Sequence, residues 1–221
     1  APARALSQRT GAASSIADDR WVFTEDNPDR ELDTAAGLAT AARVLRGSHP
    51  RLAADALAAA RDLYARAIDR ATKLRPRVFA TAELARSTGE RTYLDRLLAM
   101  RADIVAHVDE AGPPLAEALA LVDDPAFLRD VDAAVQAHQA RLAEQARHTP
   151  YGVPYVPHIW GAGWDIQKFG VDQYFFRKAW PQHTPDTLQK QALNFVLGVH
   201  PGNRTESFAS GAGANSAGGA Y

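Results

Sequence analysis

The chain has 221 residues, 46% of them hydrophobic and 23% charged, with a formal net charge of -1 at pH 7. That balance suits a folded domain large enough to bury a core, and it offers no basic stripe for nucleic acid or an anionic membrane. There is no cysteine, which excludes disulfides and thiolate metal sites, and no apolar run approaches the roughly 18 residues that span a bilayer.

Residues 1–29 carry no clear period and read as an irregular entry segment. They include the compact cluster Trp21-Val-Phe-Thr-Glu-Asp26. The chain opens on Ala-Pro-Ala-Arg and ends on the glycine-rich stretch Ser210–Tyr221, so it reads as a fragment of something longer. From Arg30 onward apolar residues recur at helical spacing. Leu32, Ala35, Ala39, Ala42 and Leu45 make one helix, stopped at Gly47. Ser48 and Pro50 predict the cap and first turn of a second, running to Ala71, with an alanine face open to close approach.

A third helix is expected over 76–87 and a fourth from Thr92 past Ile104. Gly112-Pro-Pro114 predicts a break, followed by a short helix from Leu115 to Leu121. Asp124-Pro125 predicts the cap of another, carrying Leu128, Val131, Val135 and Leu142 on one face. A helix over 165–179, apolar on several faces, is expected to be buried on most sides, with Asp165 as its cap and Gly170 as a point of close contact. The last opens at Thr184-Pro185 and closes at Gly198. No segment alternates as a strand. His107 and His138 are expected on helix surfaces. Helix follows helix through short turns, which predicts an all-α chain of packed antiparallel hairpins.

Nine of the 18 aromatic residues fall between His148 and Trp180. The loop 148–164 reads His-Thr-Pro-Tyr-Gly-Val-Pro-Tyr-Val-Pro-His-Ile-Trp-Gly-Ala-Gly-Trp. Prolines stiffen it and glycines allow its turns. Two readings stay open on these residues. The rings plug a long loop against the core, or Tyr151, Tyr155, His158, Trp160 and Trp164 present faces and polar edges to a sugar.

Four segments resemble glycoside hydrolase family 9. Trp21 to Asp26 is similar to a Trp-x-x-Pro-Glu-Asp element, with Thr24 in place of the proline. Glu31 through Ala42 resembles the alanine-rich helix that follows it. Tyr151-Gly through Trp160-Gly161 resembles a cleft segment. Ala192-Leu-Asn-Phe-Val-Leu-Gly-Val-His-Pro-Gly-Asn203 with Ser207-Phe-Ala-Ser-Gly-Ala-Gly213 is similar to the family's Tyr-x-Leu-Gly-x-Asn-Pro…Ser-Tyr/Phe-x-x-Gly-x-Gly signature, with His200 in place of its Asn.

The resemblance implies part of an (α/α)₆ toroid, with residues 30–221 as hairpins of one incomplete catalytic domain and cleft loops at 148–164 and 198–221. It implies hydrolysis of β-linked glucan or a related polysaccharide by inversion. No organic cofactor is called for. The catalytic acids and further parts of the domain would lie outside this chain, and a periplasmic or secreted location would follow. It implies a substrate wall of Tyr151, Tyr155, His158, Trp160 and Trp164, faced by an opposite wall of His200, Asn203 and Ser207. Glu25, Asp26 and Asp165 are the acids nearest the matched segments. Their expected work is holding loops or capping, or, for Glu25 and Asp26 with Asp29, ligating a structural calcium. Two rivals remain at this point: a non-catalytic helical protein binding glycan or a partner, and a polysaccharide lyase or epimerase on the same toroid.

Overall fold

The computed structural model describes residues 26–156, 161–203, 205–209 and 211–216. The helices are α1 Pro28–Leu45, α2 Pro50–Ala67, α3 Leu74–Thr88, α4 Arg91–Ala99, α5 Arg101–Ala106, α6 Val108–Ala116, α7 Pro125–Arg147, α8 Ala162–Ala179 and α9 Thr187–Val196. They form four hairpins: α1 with α2, α3 with α4 and α5, α6 with α7, and α8 with α9. One helix of each hairpin belongs to an inner row, in which α1 packs on α3, α3 on α6 and α6 on α8. Each hairpin reverses the chain, so the inner helices run in one direction and their N-terminal ends share a rim. Among the described residues the extended pairing is confined to a two-residue parallel bridge, Glu206–Ser207 (β1) with Asn215–Ser216 (β2).

Small residues set how closely α1, α2 and α3 approach. Ala35, Ala36, Ala39, Ala60, Ala67 and Ala80 are fully buried around Leu32 and Leu84. Tyr64 and Tyr93 close this core edge-to-face at 5.3 Å, and the Tyr64 hydroxyl meets Thr81 at 3.0 Å. A second core runs from α3 to α8 around Leu97, Ile104, Leu115, Phe127, Val131, Val135, Phe176 and Trp180.

Several expectations are corrected. Gly112-Pro-Pro114 lies inside α6 and does not break it. The proline rings are buried, and Gly112 admits Phe176, whose ring would stand 2.3 Å from an added Cβ. Apolar contact there outweighs the two lost backbone donors. The helix expected from Thr92 past Ile104 divides at Met100 into α4 and α5, where Arg101 reaches across to the Ala126 carbonyl and Asp130 of α7. The N-cap of α2 is His49, one residue after Ser48, and α9 begins at Thr187 with Asp186 before it. Asp165 sits within the first turn of α8, whose N-cap is Gly161 at φ 86°. His138 is packed on Phe176 at 5.4 Å, and burial holds its imidazole below the usual range. Helix α8 is not buried on most sides, since Val171 and Tyr174 are exposed. Other expectations hold: Asp124 caps α7 by accepting from the N–H groups of Ala126 and Phe127, and Gly170 lets α9 approach at Ala192.

The inner row is pinned by one buried carboxylate. Glu83, 4% exposed on α3, accepts from Thr40 and Arg43 of α1 and from Arg86, each at 2.6 Å. Arg86 continues to Glu117 at 2.6 Å, just past α6, and Glu117 also pairs with Lys178 of α8. Burial pushes the Glu83 carboxyl up, but the bonds from Thr40, Arg43 and Arg86 together outweigh it and hold the group below its ordinary 4.5. Replacing Glu83 with Ala removes the acceptor shared by Thr40, Arg43 and Arg86 and leaves Arg43 on Ser87 and Arg86 on Glu117, so urea unfolding of Glu83→Ala is expected to show a loss of about 1–3 kcal/mol. Because the folded-state pKa is depressed, the Glu83 contribution is complete above the unfolded pKa. It is lost as pH falls through the folded value. The difference between wild type and variant is therefore expected to shrink in acid.

Candidate functional site

The rim at the N-terminal ends of the inner helices is built from two loops. The first, 148–161, joins α7 to α8. The second, 197–216, follows α9. They are locked together by aromatic contacts. Tyr151 meets Phe195 at 5.2 Å and His200 at 4.6 Å, both edge-on. Phe195 stacks on His200 at 5.5 Å and on Phe208 at 5.8 Å. Phe208 in turn lies across Gly163 in the first turn of α8, where an added Cβ would stand 2.7 Å from its ring. Beneath them Val153, Ile166 and Ala192 make a small core with Tyr155 and Phe169 against it.

This geometry places the residues singled out in the sequence. Trp164 is 76% exposed in the first turn of α8. Tyr151 is exposed as well. Tyr155 is partly buried beside Asp165. Its hydroxyl is pushed up by desolvation and by the neighbouring carboxylate, which keeps it a neutral donor. His158 and Trp160 lie outside the described residues, as do Trp21 and Glu25. His200 is half-buried, its Nδ1 2.9 Å from the Pro201 carbonyl. Asn203 is exposed. Ser207 is 2% exposed, its oxygen within 3.4 Å of the Val196 carbonyl and accepting the Ala209 N–H at 3.0 Å.

Two corrections follow. His200 is not across a gap from Tyr151 but touches it, so the two loops form one continuous wall. Ser207 holds the second loop together from beneath, and Asn203 stands apart on its surface. Two aromatic residues were missed, Phe195 and Phe208. Both lie in the matched signature, but rings at helical or loop positions read as core by default. Their stacking on His200 appears only once the loops meet. Phe208, 64% exposed, extends the aromatic surface from Tyr151 toward Trp164.

Three of the carboxylates near the rim and on the inner wall are engaged. Asp26 takes a two-oxygen contact from Arg70 at 2.7 and 2.9 Å, and Asp29 accepts from the backbone N–H groups of Thr72 and Lys73, each at 3.0 Å. Those partners sew the start of α1 to the α2–α3 turn. No cluster of three or more metal-ligating side chains occurs among the described residues, which do not include Glu25. Asp172 on α8 is held by Lys168 and by Arg75 at 3.5 Å. Asp33 on α1 differs: burial raises its carboxyl, and the charge of Arg75 offsets this only in part.

The second loop depends on Gly198, at φ 69° and with the Thr205 carbonyl 2.2 Å from an added Cβ. Gly198→Ala is expected to loosen the loop by about 1–3 kcal/mol. Limited proteolysis should then cut within 198–216 much faster, with the main thermal transition unmoved.

No protein-family model and no curated protein matches the sequence. Solved structures do match the fold. AaCel9A in complex with cellobiose-like isofagomine superposes with a TM-score of 0.68 at 20% identity, covering 87% of this chain and 42% of that one. A metagenome-derived glycoside hydrolase family 9 endoglucanase gives 0.66 at 20% identity, with 86% and 39% covered. An endoglucanase from the termite Nasutitermes takasagoensis gives 0.63 at 20% identity, with 86% and 48% covered. The chain thus spans less than half the length of these structures. In fold, it is four hairpins of the (α/α)₆ toroid that the family 9 endoglucanases share.

Proposed function

We propose that this chain is part of the catalytic domain of a glycoside hydrolase that cleaves β-linked glucan, and that its two rim loops form a sugar-binding wall. The observation that carries the reading is the exposed aromatic surface of Tyr151, Phe208 and Trp164, set on the rim of a fold shared with endoglucanases. Flat rings cover the C–H face of a pyranose, while the Tyr151 hydroxyl, the Trp164 N–H and the exposed Asn203 amide take its hydroxyl groups. His158 and Trp160 belong to the same wall in this reading.

The reaction we assign is inverting hydrolysis. It needs one carboxylic acid to protonate the leaving oxygen and one carboxylate to activate water, about 6.5–9.5 Å apart. Glu83, Glu117 and Asp172 are each tied to arginine or lysine. A carboxylate already bound to a cation is poorly placed to protonate a leaving group or to activate water. In line with the family resemblance we place the catalytic acids on further segments of the same domain, which would also cover the exposed Val171, Tyr174 and Leu193 of α8 and α9. In this assignment residues 1–29 are an entry segment and 30–221 one portion of the toroid. A polymeric substrate implies a periplasmic or secreted enzyme. No organic cofactor is required.

Incubating the full-length protein with barley β-glucan and cello-oligosaccharides tests this. The expected products are shortened oligosaccharides released with inverted anomeric configuration, read by proton NMR. Retained binding without products would indicate a glycan-binding protein, and an unsaturated product a lyase. Trp164→Ala is expected to weaken cellotetraose binding about tenfold through the lost apolar cover. Unchanged affinity would remove the rim from the substrate site.

A further inference from the structure

Away from the rim, between the outer helices α7 and α9, lies a groove of ≈ 630 Å³. That volume falls within the roughly 300–1,000 Å³ of small-molecule sites. Four of its lining side chains are glutamines: Gln136 and Gln139 from α7, Gln182 from the turn after α8, and Gln191 from α9. Gln139 is 5% exposed, and neither its amide oxygen nor its amide nitrogen has a hydrogen-bond partner. The Gln191 amide oxygen is likewise buried and unpartnered. An unsatisfied buried amide is costly, and two facing one groove from opposite helices call for a ligand that offers both donors and acceptors.

Each basic side chain lining the groove has a carboxylate beside it. Arg147 pairs with Glu144 at 3.1 Å, and His183 with Asp132 at 2.9 Å. The remaining lining includes apolar Ala143 and Leu188. Both ends are fixed. Asp132 accepts from Gln182 at 2.9 Å and holds the turn after α8, while Gly152, at φ 67°, brings the first rim loop against the Gln191 amide.

We infer that this groove is a second binding site for a neutral, polyhydroxylated ligand, a mono- or disaccharide, with Gln139 and Gln191 as its recognition pair. Adjacent sugar hydroxyls each donate and accept, which matches the two ends of a carboxamide, and the apolar lining faces the C–H side of the ring. The Gln139 amide presents its atoms to the ligand by turning about its terminal torsion, which has a broad, shallow profile. The carboxylates of Glu144 and Asp132 beside the groove select against anionic sugars. The inference does not depend on the hydrolase reading, because the groove lies behind the rim and shares none of its aromatic residues.

The test is a titration of the full chain with cellobiose, and with glucuronate as the anionic control, followed by NMR of the glutamine side-chain amides. Cellobiose should shift the Gln139 and Gln191 amide signals, and glucuronate should not. Gln139→Leu and, independently, Gln191→Ala should weaken that binding about tenfold, the loss of a hydrogen-bonded pair. Trp164→Ala should leave it intact, which separates this site from the rim. Gln139→Leu removes a polar group with no partner, so its melting temperature should equal or exceed that of wild type. Signals that stay still under cellobiose, or an affinity in both glutamine variants equal to that of wild type, would overturn the proposal and leave the groove as a solvent-filled seam.

Discussion

The arrangement of this molecule rests on Glu83. A carboxylate on α3 that accepts from Thr40, Arg43 and Arg86 cannot be satisfied unless α1 and α3 stand at one spacing and one rotation. Through Arg86 and Glu117 the same constraint passes to Lys178 on α8. Apolar packing alone would tolerate a helix sliding or turning by a residue. A buried charge does not, since any slip leaves it unpaired in a medium that penalises it heavily. Arg43 also reaches Ser87 at 2.7 Å, which fixes the far end of the α1–α3 contact.

Packing fills in around that frame by size. Between α1, α2 and α3 the facing residues are largely alanine, so the helices come close and the two tyrosines close the remaining space. Between α6 and α8 the solution differs: Gly112 yields room and Phe176 occupies it. The prolines beside Gly112 remove backbone donors from α6, yet their rings join the core. The cost falls where apolar burial is densest, and α6 is held by its neighbours as much as by its own hydrogen bonds.

The rim follows from the frame. With the inner helices parallel, the loop entering α8 and the loop leaving α9 emerge side by side. Tyr151, Phe195, His200 and Phe208 then weld them into one wall, and Trp164 projects from the first turn of α8. Gly163 and Gly198 are small because a ring and a carbonyl, respectively, occupy the space a side chain would need.

The helices themselves were readable in the chain. Periodic apolar positions, Asp124-Pro125 before α7 and Gly47 after α1 are local signals, and a helix forms from contacts three and four residues apart. The aromatic wealth of 148–180 and the signature near His200 were equally local, and they fall on the two loops that meet at the rim. What the sequence could not determine was every feature made by residues far apart. Pro113 and Pro114 read as a break because propensity carries no knowledge of Phe176. His138 read as surface because its burial comes from α8. His200 and Tyr151 read as opposite walls because nothing in a linear pattern says which loops are neighbours. The pairing of Glu83 with two helices, and the unpartnered amides of Gln139 and Gln191, exist only once the hairpins pack. Local periodicity chooses the elements. Satisfying buried charge and volume among them chooses their arrangement, and it is that arrangement which makes a site.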